Sequence, residues 1–209
     1  VLLILDEVMC GMGRTGHLFA CEAEGINPDI LCIAKGLGAG YQPIGAMLCS
    51  AEIYSAIENG SGFFQHGHTY IGHPVAAAAG LAVVKALTGR GLIAQSRDKG
   101  VQLQDMLAQR FGQHPYIGDI RGRGLFLALE IVKDRESKTP FDPALKLAAK
   151  FKRQAFENGL ICYPMSGTRD GANGDHILLA PPFIINDAEM AELVDKLDKT
   201  FAEVLPKHP

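Results

Sequence analysis

Two uninterrupted apolar runs, Val1-Leu2-Leu3-Ile4-Leu5 and Ile30-Leu31-Cys32-Ile33-Ala34, constrain this chain more than any other feature. Each has the length of a strand and lacks the alternation of a half-solvated one. Each therefore reads as a strand covered on both faces by helices, which predicts a parallel sheet of the α/β class. Residues 73–88 are Ala-rich, with Pro74 near the first turn and Gly89 at the end, and read as a buried helix. Residues 92–110 continue as an amphipathic helix with Leu103, Met106 and Leu107 on one face. A run such as Val1 to Leu5 needs neighbours on both sides, so the numbering is expected to begin inside a larger protein.

After His114-Pro115 the pattern changes. Arg121-Gly122-Arg123-Gly124 precedes a strand-like run over residues 125–131, and residues 143–158 read as a helix closed by Asn158-Gly159. Residues 160–163 and 176–180 read as short strands, and Asn186 with Glu189 as the capping box of a last helix reaching about Leu205. The expected division is residues 1–100 as the C-terminal part of a large sheet domain and residues 101–209 as a small α+β domain. Composition agrees with a soluble globular protein: 47% hydrophobic, 21% charged and a net charge of −3. That balance speaks against nucleic-acid and membrane partners. The uncharged stretch over residues 36–51 holds four glycines and Pro43 and is too short to span a bilayer. Five cysteines without a C-x-x-C pair read as buried free thiols in a reducing compartment, with a cytoplasmic location expected.

The chemistry sits at the ends of the two runs. Asp6 and Glu7 follow the first, at the carboxyl end of a parallel strand, where open α/β sheets bind ligands. An acid there either meets a ligand or simply ends the strand in solvent. Lys35 holds the corresponding place after the second run and is followed by Gly36-Leu37-Gly38-Ala39-Gly40, whose glycines let the backbone approach a ligand. A lone lysine at a strand end is ordinarily a solvated charge. Partly desolvated, its amine acts as a nucleophile toward an aldehyde and then as a general base. Paired with Asp6 on another strand end, it suits pyridoxal phosphate. That cofactor needs an amine to hold its aldehyde and an acid to keep its pyridine nitrogen protonated.

A rival motif lies between them. Gly11-Met12-Gly13-Arg14-Thr15-Gly16 matches the glycine pattern of a dinucleotide-binding turn. Asp6 and Glu7 would put negative charge beside a pyrophosphate, and Asp29 precedes the second strand where a ribose-binding acid should end it. A structural glycine loop is the preferred reading. His66, His68 and His73 lie in Gly-rich sequence without a cysteine or paired acid, so no metal site is expected. Arg121 and Arg123 read as interface or surface charges.

Taken together, Leu5-Asp6-Glu7-Val8, the glycine loop, Pro28-Asp29-Ile30, Ala34-Lys35-Gly36-Leu37-Gly38 and Pro43-Ile44-Gly45-Ala46 resemble the class III pyridoxal-phosphate aminotransferases. His68-Thr69-Tyr70, Gly72-His73-Pro74-Val75-Ala76, Ile120-Arg121-Gly122-Arg123-Gly124-Leu125 and Ala180-Pro181-Pro182-Phe183 extend the likeness along nearly the whole chain. The resemblance implies a type I fold and a chain holding the family's C-terminal half. It implies that Lys35 forms the Schiff base with pyridoxal phosphate and shuttles protons, that Asp6 binds the pyridine nitrogen, and that Val8 packs against the ring. It also implies that Thr69 binds phosphate in the partner subunit's site, hence a homodimer with shared active sites. Where many members carry a substrate arginine, this chain has Tyr163-Pro164 and then the insertion-like Ser166-Gly167-Thr168-Arg169-Asp170-Gly171. Arg169 is the candidate for the substrate carboxylate, since a guanidinium suits bidentate recognition.

The implied activity is a ping-pong transamination from an amine or ω-amino acid to a keto acid such as pyruvate. An aminomutase, racemase or decarboxylase would use the same cofactor chemistry and stays open at this point. The family's Gly-Ser phosphate loop and ring-stacking aromatic residue are absent from these residues. The chain alone is therefore expected to be incomplete, and an inactive truncated fragment is the non-enzymatic alternative.

Overall fold

The first apolar run yields β1 (Ile4–Asp6) and the second β2 (Ile30–Ile33), paired in parallel with Ile4 opposite Ile30 and Asp6 opposite Cys32. The computed structural model describes residues 1–206 and divides into two units, Val1–Ser96 and the remainder from Arg97.

In the first unit the sheet is mixed, where the sequence predicted a wholly parallel one. β3 (Ala46–Cys49) joins β2 antiparallel, in the order β1-β2-β3. The connection after β2, residues 34–45, holds only the 3₁₀ turn Lys35–Leu37 and none of the crossover helix that ordinarily returns a chain to a parallel position. Among the described residues β1 is an edge strand, and Val1, Leu2, Leu3 and Ile4 are exposed; the neighbours expected on both sides of this run are not among those residues. Two helices follow the sheet. α1 (Ala51–Asn59), which the sequence analysis did not assign, is capped by Ser50, whose Oγ accepts from the Ile53 amide at 3.4 Å. α2 (Pro74–Gly89) starts with Pro74 and is capped by His73, whose Nδ1 accepts from the Ala76 amide. The expectation of a buried helix holds for one face only: Ala76, Gly80 and Leu87 are buried while Val75 and Leu81 are exposed.

α3 (Leu92–Phe111) runs from the first unit into the second, where Leu103 and Leu107 are fully buried as its periodicity predicts. The second unit's sheet has the order β4-β5-β7-β6, with every pairing antiparallel. Its strands are β4 (Ile117–Arg123), β5 (Phe126–Ile131), β6 (Tyr163–Ser166) and β7 (Asp175–Leu179). Arg121 and Arg123, expected to precede a strand, lie within β4. Arg121 bonds Asp119 at 2.8 Å and Glu130 at 2.6 Å, tying β4 to β5 on the exposed face. The expected helix over 143–158 is divided. A 3₁₀ turn (Pro143–Leu145) stops at Lys146, whose φ of 50° is left-handed, before α4 (Leu147–Glu157) begins. β6 starts later than expected because the Leu160 amide turns back to the Ala155 carbonyl, closing α4 before the chain reaches the sheet. Pro164 fits β6 because that strand is an edge and its missing N–H costs no ladder bond. α5 (Asp187–Val204) carries the expected capping box between Asn186 and Glu189.

The core of this unit is made by alternation. Leu127, Leu129 and Ile131 of β5 and Ile177 and Leu179 of β7 all face one side, under α3, α4 and α5. Phe201 of α5 meets Phe111 of α3 at 5.1 Å and Phe151 of α4 at 5.4 Å, both edge to face. α3 comes close to the β4–β5 turn because both partners are glycine. A Cβ on Gly100 would fall 2.2 Å from the Gly124 carbonyl oxygen. The five cysteines are free as read from the sequence, but none is fully buried and Cys49 is exposed. Phe201→Ala is expected to destabilise this unit by about 3–5 kcal/mol through loss of three-way ring packing, measured by urea unfolding with far-UV circular dichroism.

Candidate active site

Parallel pairing decides where Asp6 and Lys35 lie. Asp6 ends β1 opposite Cys32 of β2, and Lys35 stands three positions further along that neighbouring chain. Both side chains thus belong to the carboxyl edge of two hydrogen-bonded parallel strands, the edge at which open α/β sheets receive ligands. Both are exposed. The partial desolvation of Lys35 expected from the sequence is therefore not present among the described residues. The Asp6 Oδ1 accepts from the Val8 amide at 3.0 Å, which fixes the carboxylate at the strand end and places Val8 directly after it.

Glu7 has a different part. Successive side chains on an extended chain point to opposite faces, so Asp6 and Glu7 cannot share one site. Glu7 is 3% exposed and accepts from the Ala20 amide at 2.6 Å and the Cys21 amide at 2.8 Å. It thereby caps the 3₁₀ helix Ala20–Glu24. That buried acid was grouped with Asp6 in the sequence analysis, and the period-2 rule is the signal that separates them. Burial, then the nearby Glu7 carboxylate, pushes the Cys10 thiol above its ordinary range, with Asp6 adding in the same direction. Burial and Glu7 likewise push Cys21 up to about 11. Both shifts favour the protonated thiol over the thiolate.

Lys35 opens a short 3₁₀ turn (Lys35–Leu37) and has a left-handed φ of 36°. The Leu37 amide donates to the Ala34 carbonyl at 2.8 Å and the Gly38 amide to the Lys35 carbonyl at 3.1 Å. Gly38 is required there, since a Cβ would fall 2.2 Å from the Gln42 carbonyl oxygen. Thr69 lies in the exposed turn before α2, where the Ile71 amide donates to the His68 carbonyl. Arg169 belongs to the second unit, on the exposed loop between β6 and β7. That loop is well braced. The Arg169 amide donates to the Asn173 carbonyl at 2.9 Å, and the Asp170 carboxylate accepts from the Asn173 amide at 2.7 Å and the Ala172 amide at 3.0 Å. These bonds, those from Asn173 first, hold the Asp170 carboxyl down to about 2.

The geometry is that of a sheet-edge amine and carboxylate in an α/β unit, followed by an antiparallel α+β unit. Comparison with known proteins agrees. The class-III aminotransferase profile matches residues 1–201, and the chain belongs to that family. An uncharacterised aminotransferase of Schizosaccharomyces pombe is 44% identical over 100% of this chain and 46% of its own. The crystal structure of an (S)-enantioselective omega-transaminase from Thermomicrobium roseum is 37% identical, with a TM-score of 0.88 over 99% of this chain and 44% of that one. An amine transaminase from an uncultivated Pseudomonas species, solved in its PLP-bound form, is also 37% identical, with a TM-score of 0.87 over 98% of this chain and 45% of that one. The chain thus spans about half the length of the relatives it matches, and its fold is that of the pyridoxal-phosphate transaminases.

The residues present fit pyridoxal phosphate. An exposed amine and an exposed, backbone-anchored carboxylate at one strand edge supply the two groups that its aldehyde and ring nitrogen require. Glu7→Ala is expected to leave the Ala20 and Cys21 amides without acceptors and to cost about 1–3 kcal/mol. Faster hydrogen exchange at those two amides, with exchange in the second unit unchanged, is the measurement that checks it.

Proposed function

We propose that this chain carries the cofactor lysine of a pyridoxal-phosphate transaminase that moves an amino group from an amine or ω-amino acid to a keto acid such as pyruvate by a ping-pong route. One observation carries the reading: Asp6 and Lys35 share the carboxyl edge of paired parallel strands. Family membership supports it, and the omega-transaminase name of the Thermomicrobium roseum relative supports the class of donor.

When bound, pyridoxal phosphate supplies an electron sink that makes a proton on the substrate's amine-bearing carbon removable. Lys35 would be the catalytic residue: its Nζ would hold the cofactor, and the same amine would take and return a proton at the substrate's amine-bearing carbon as general base and acid. The Asp6 carboxylate, oriented by the Val8 amide, would keep the ring nitrogen protonated. Val8 would pack against the ring face, and Thr69 would bind the phosphate in the partner subunit's site of a homodimer with shared sites. Arg169 receives a substrate carboxylate, its loop braced by Asp170. In this reading residues 1–100 belong to the cofactor domain, residues 101–209 form the small domain, and the protein works in the cytoplasm.

The test uses the full-length protein loaded with pyridoxal phosphate and reduced with borohydride. The modified peptide is expected to contain Lys35, and Lys35→Ala is expected to lose the adduct entirely. An amine donor alone is expected to bleach the visible band of the bound cofactor, and a keto acid to restore it. Carbon dioxide release, a racemised product or an amino-shifted isomer would sink the transaminase reading.

A further inference from the structure

We infer that Met12 is a positioning residue for Lys35, and that the glycine loop over residues 11–16 holds the lysine-bearing turn in register; the inference rests on Lys35 being the cofactor lysine. The loop answers no ligand in the reading above, yet it is among the most buried parts of the first unit. Gly11, Met12, Gly13, Thr15 and Gly16 are all buried, and Met12 is only 3% exposed.

Met12 and Lys35 both have left-handed backbones, with φ of 56° and 36°. Such conformations disfavour residues with a side chain and persist where the surroundings enforce them. The two strained turns lean on each other. A Cβ on Gly36 would fall 2.8 Å from the Met12 Cβ and 3.9 Å from the Gly11 carbonyl oxygen, so the Gly36 backbone rests directly on Met12. Met12 offers no charge or strong hydrogen bond to a cofactor. Its contribution at this contact is volume in a fixed place.

The loop itself is anchored on several sides. The Gly11 amide donates to the Glu7 carbonyl at 3.0 Å, and the Gly13 amide to the Leu18 carbonyl at 3.2 Å. A Cβ on Gly11 would fall 2.7 Å from the Glu7 carbonyl oxygen, so the chain is pressed against β1's continuation. The Ser96 hydroxyl donates to the Arg14 carbonyl at 3.1 Å. Beyond Lys35 the other support is α2, where a Cβ on Gly80 would stand 3.3 Å from the Ile44 side chain and 3.7 Å from the Leu37 carbonyl oxygen. The lysine turn is therefore gripped between Met12 on one side and the Gly80 face of α2 on the other. A loop that resembles a phosphate cradle in sequence acts here as a mechanical stop.

The contact predicts a specific compensation. Gly36→Ala adds a methyl group where Met12 already stands. The double variant Gly36→Ala with Met12→Gly moves that volume across the contact, and glycine suits the φ of residue 12. Full-length protein stripped of cofactor is mixed with pyridoxal phosphate, and the borohydride-trapped adduct on the Lys35 peptide is followed with time by mass spectrometry. Gly36→Ala is expected to slow adduct formation by about 10–100-fold, the scale set by displacing a reacting group by about 1 Å. It is also expected to shift the pH midpoint of the visible band, while the double variant recovers most of both. Should Gly36→Ala not fold, Met12→Gly alone carries the test and is expected to slow adduct formation as well. Adduct formation at the wild-type rate in the single variant that folds, or a double variant no faster than Gly36→Ala, would overturn the inference. A wild-type adduct on a residue other than Lys35 overturns instead the reading on which it rests.

Discussion

Because β1 and β2 run parallel and in register, their carboxyl ends fall at the same edge of the sheet, and that edge carries an acid at the end of one strand and an amine just past the end of the other. The remaining features of the first unit serve that juxtaposition. The Asp29 carboxylate accepts from the Leu3 amide at 2.7 Å, and the Asp29 amide donates back to the Leu3 carbonyl. These bonds set the two strands' entry and hence the register that reaches Asp6. Glu7 turns inward to hold Ala20 and Cys21, and the glycine loop returns to press on the residue after Lys35. A one-residue slip would exchange the faces of Asp6 and Glu7, burying the first and exposing the second.

The second unit obeys a different logic. Its sheet is antiparallel throughout, with one face closed by α3, α4 and α5 and the other carrying Arg121, Asp119 and Glu130 in an ion-paired cluster. Its rigidity comes from three phenylalanine rings on three helices and from glycine at the point of closest approach between α3 and the β4–β5 turn. The loop bearing Arg169 draws its order from backbone bonds and the low-lying Asp170 carboxylate rather than from burial. At neutral pH that carboxylate is ionised and the loop is closed on itself.

Elements whose cause is local were legible in the sequence. The capping box of α5, Pro74 at the start of α2, the periodicity of α3 and the apolar cores of β1 and β2 all appear where their residues predicted. Elements decided by distant partners were not. β3 is a four-residue strand, exposed along its length, that exists because β2 offers it an edge. The start of β6 depends on how α4 closes, and the break at Lys146 depends on one left-handed residue. The apolar run at the start predicted neighbours on both sides, and its first four positions are exposed among residues that do not include those neighbours.

By itself the sequence supplied the residues on which the proposed chemistry rests: an acid after one apolar run, a lysine with trailing glycines after another, and a motif set that carries the family resemblance. Those are matters of residue type and local order, which survive without a folded partner. Tertiary structure alone decided which acid stays exposed at the strand edge, that Glu7 is a buried cap, and that Met12 stands against Gly36. Each of these depends on the pairing of strands about 5 Å apart and on backbone contacts between segments far apart in the chain, and no spacing along the sequence reports such distances.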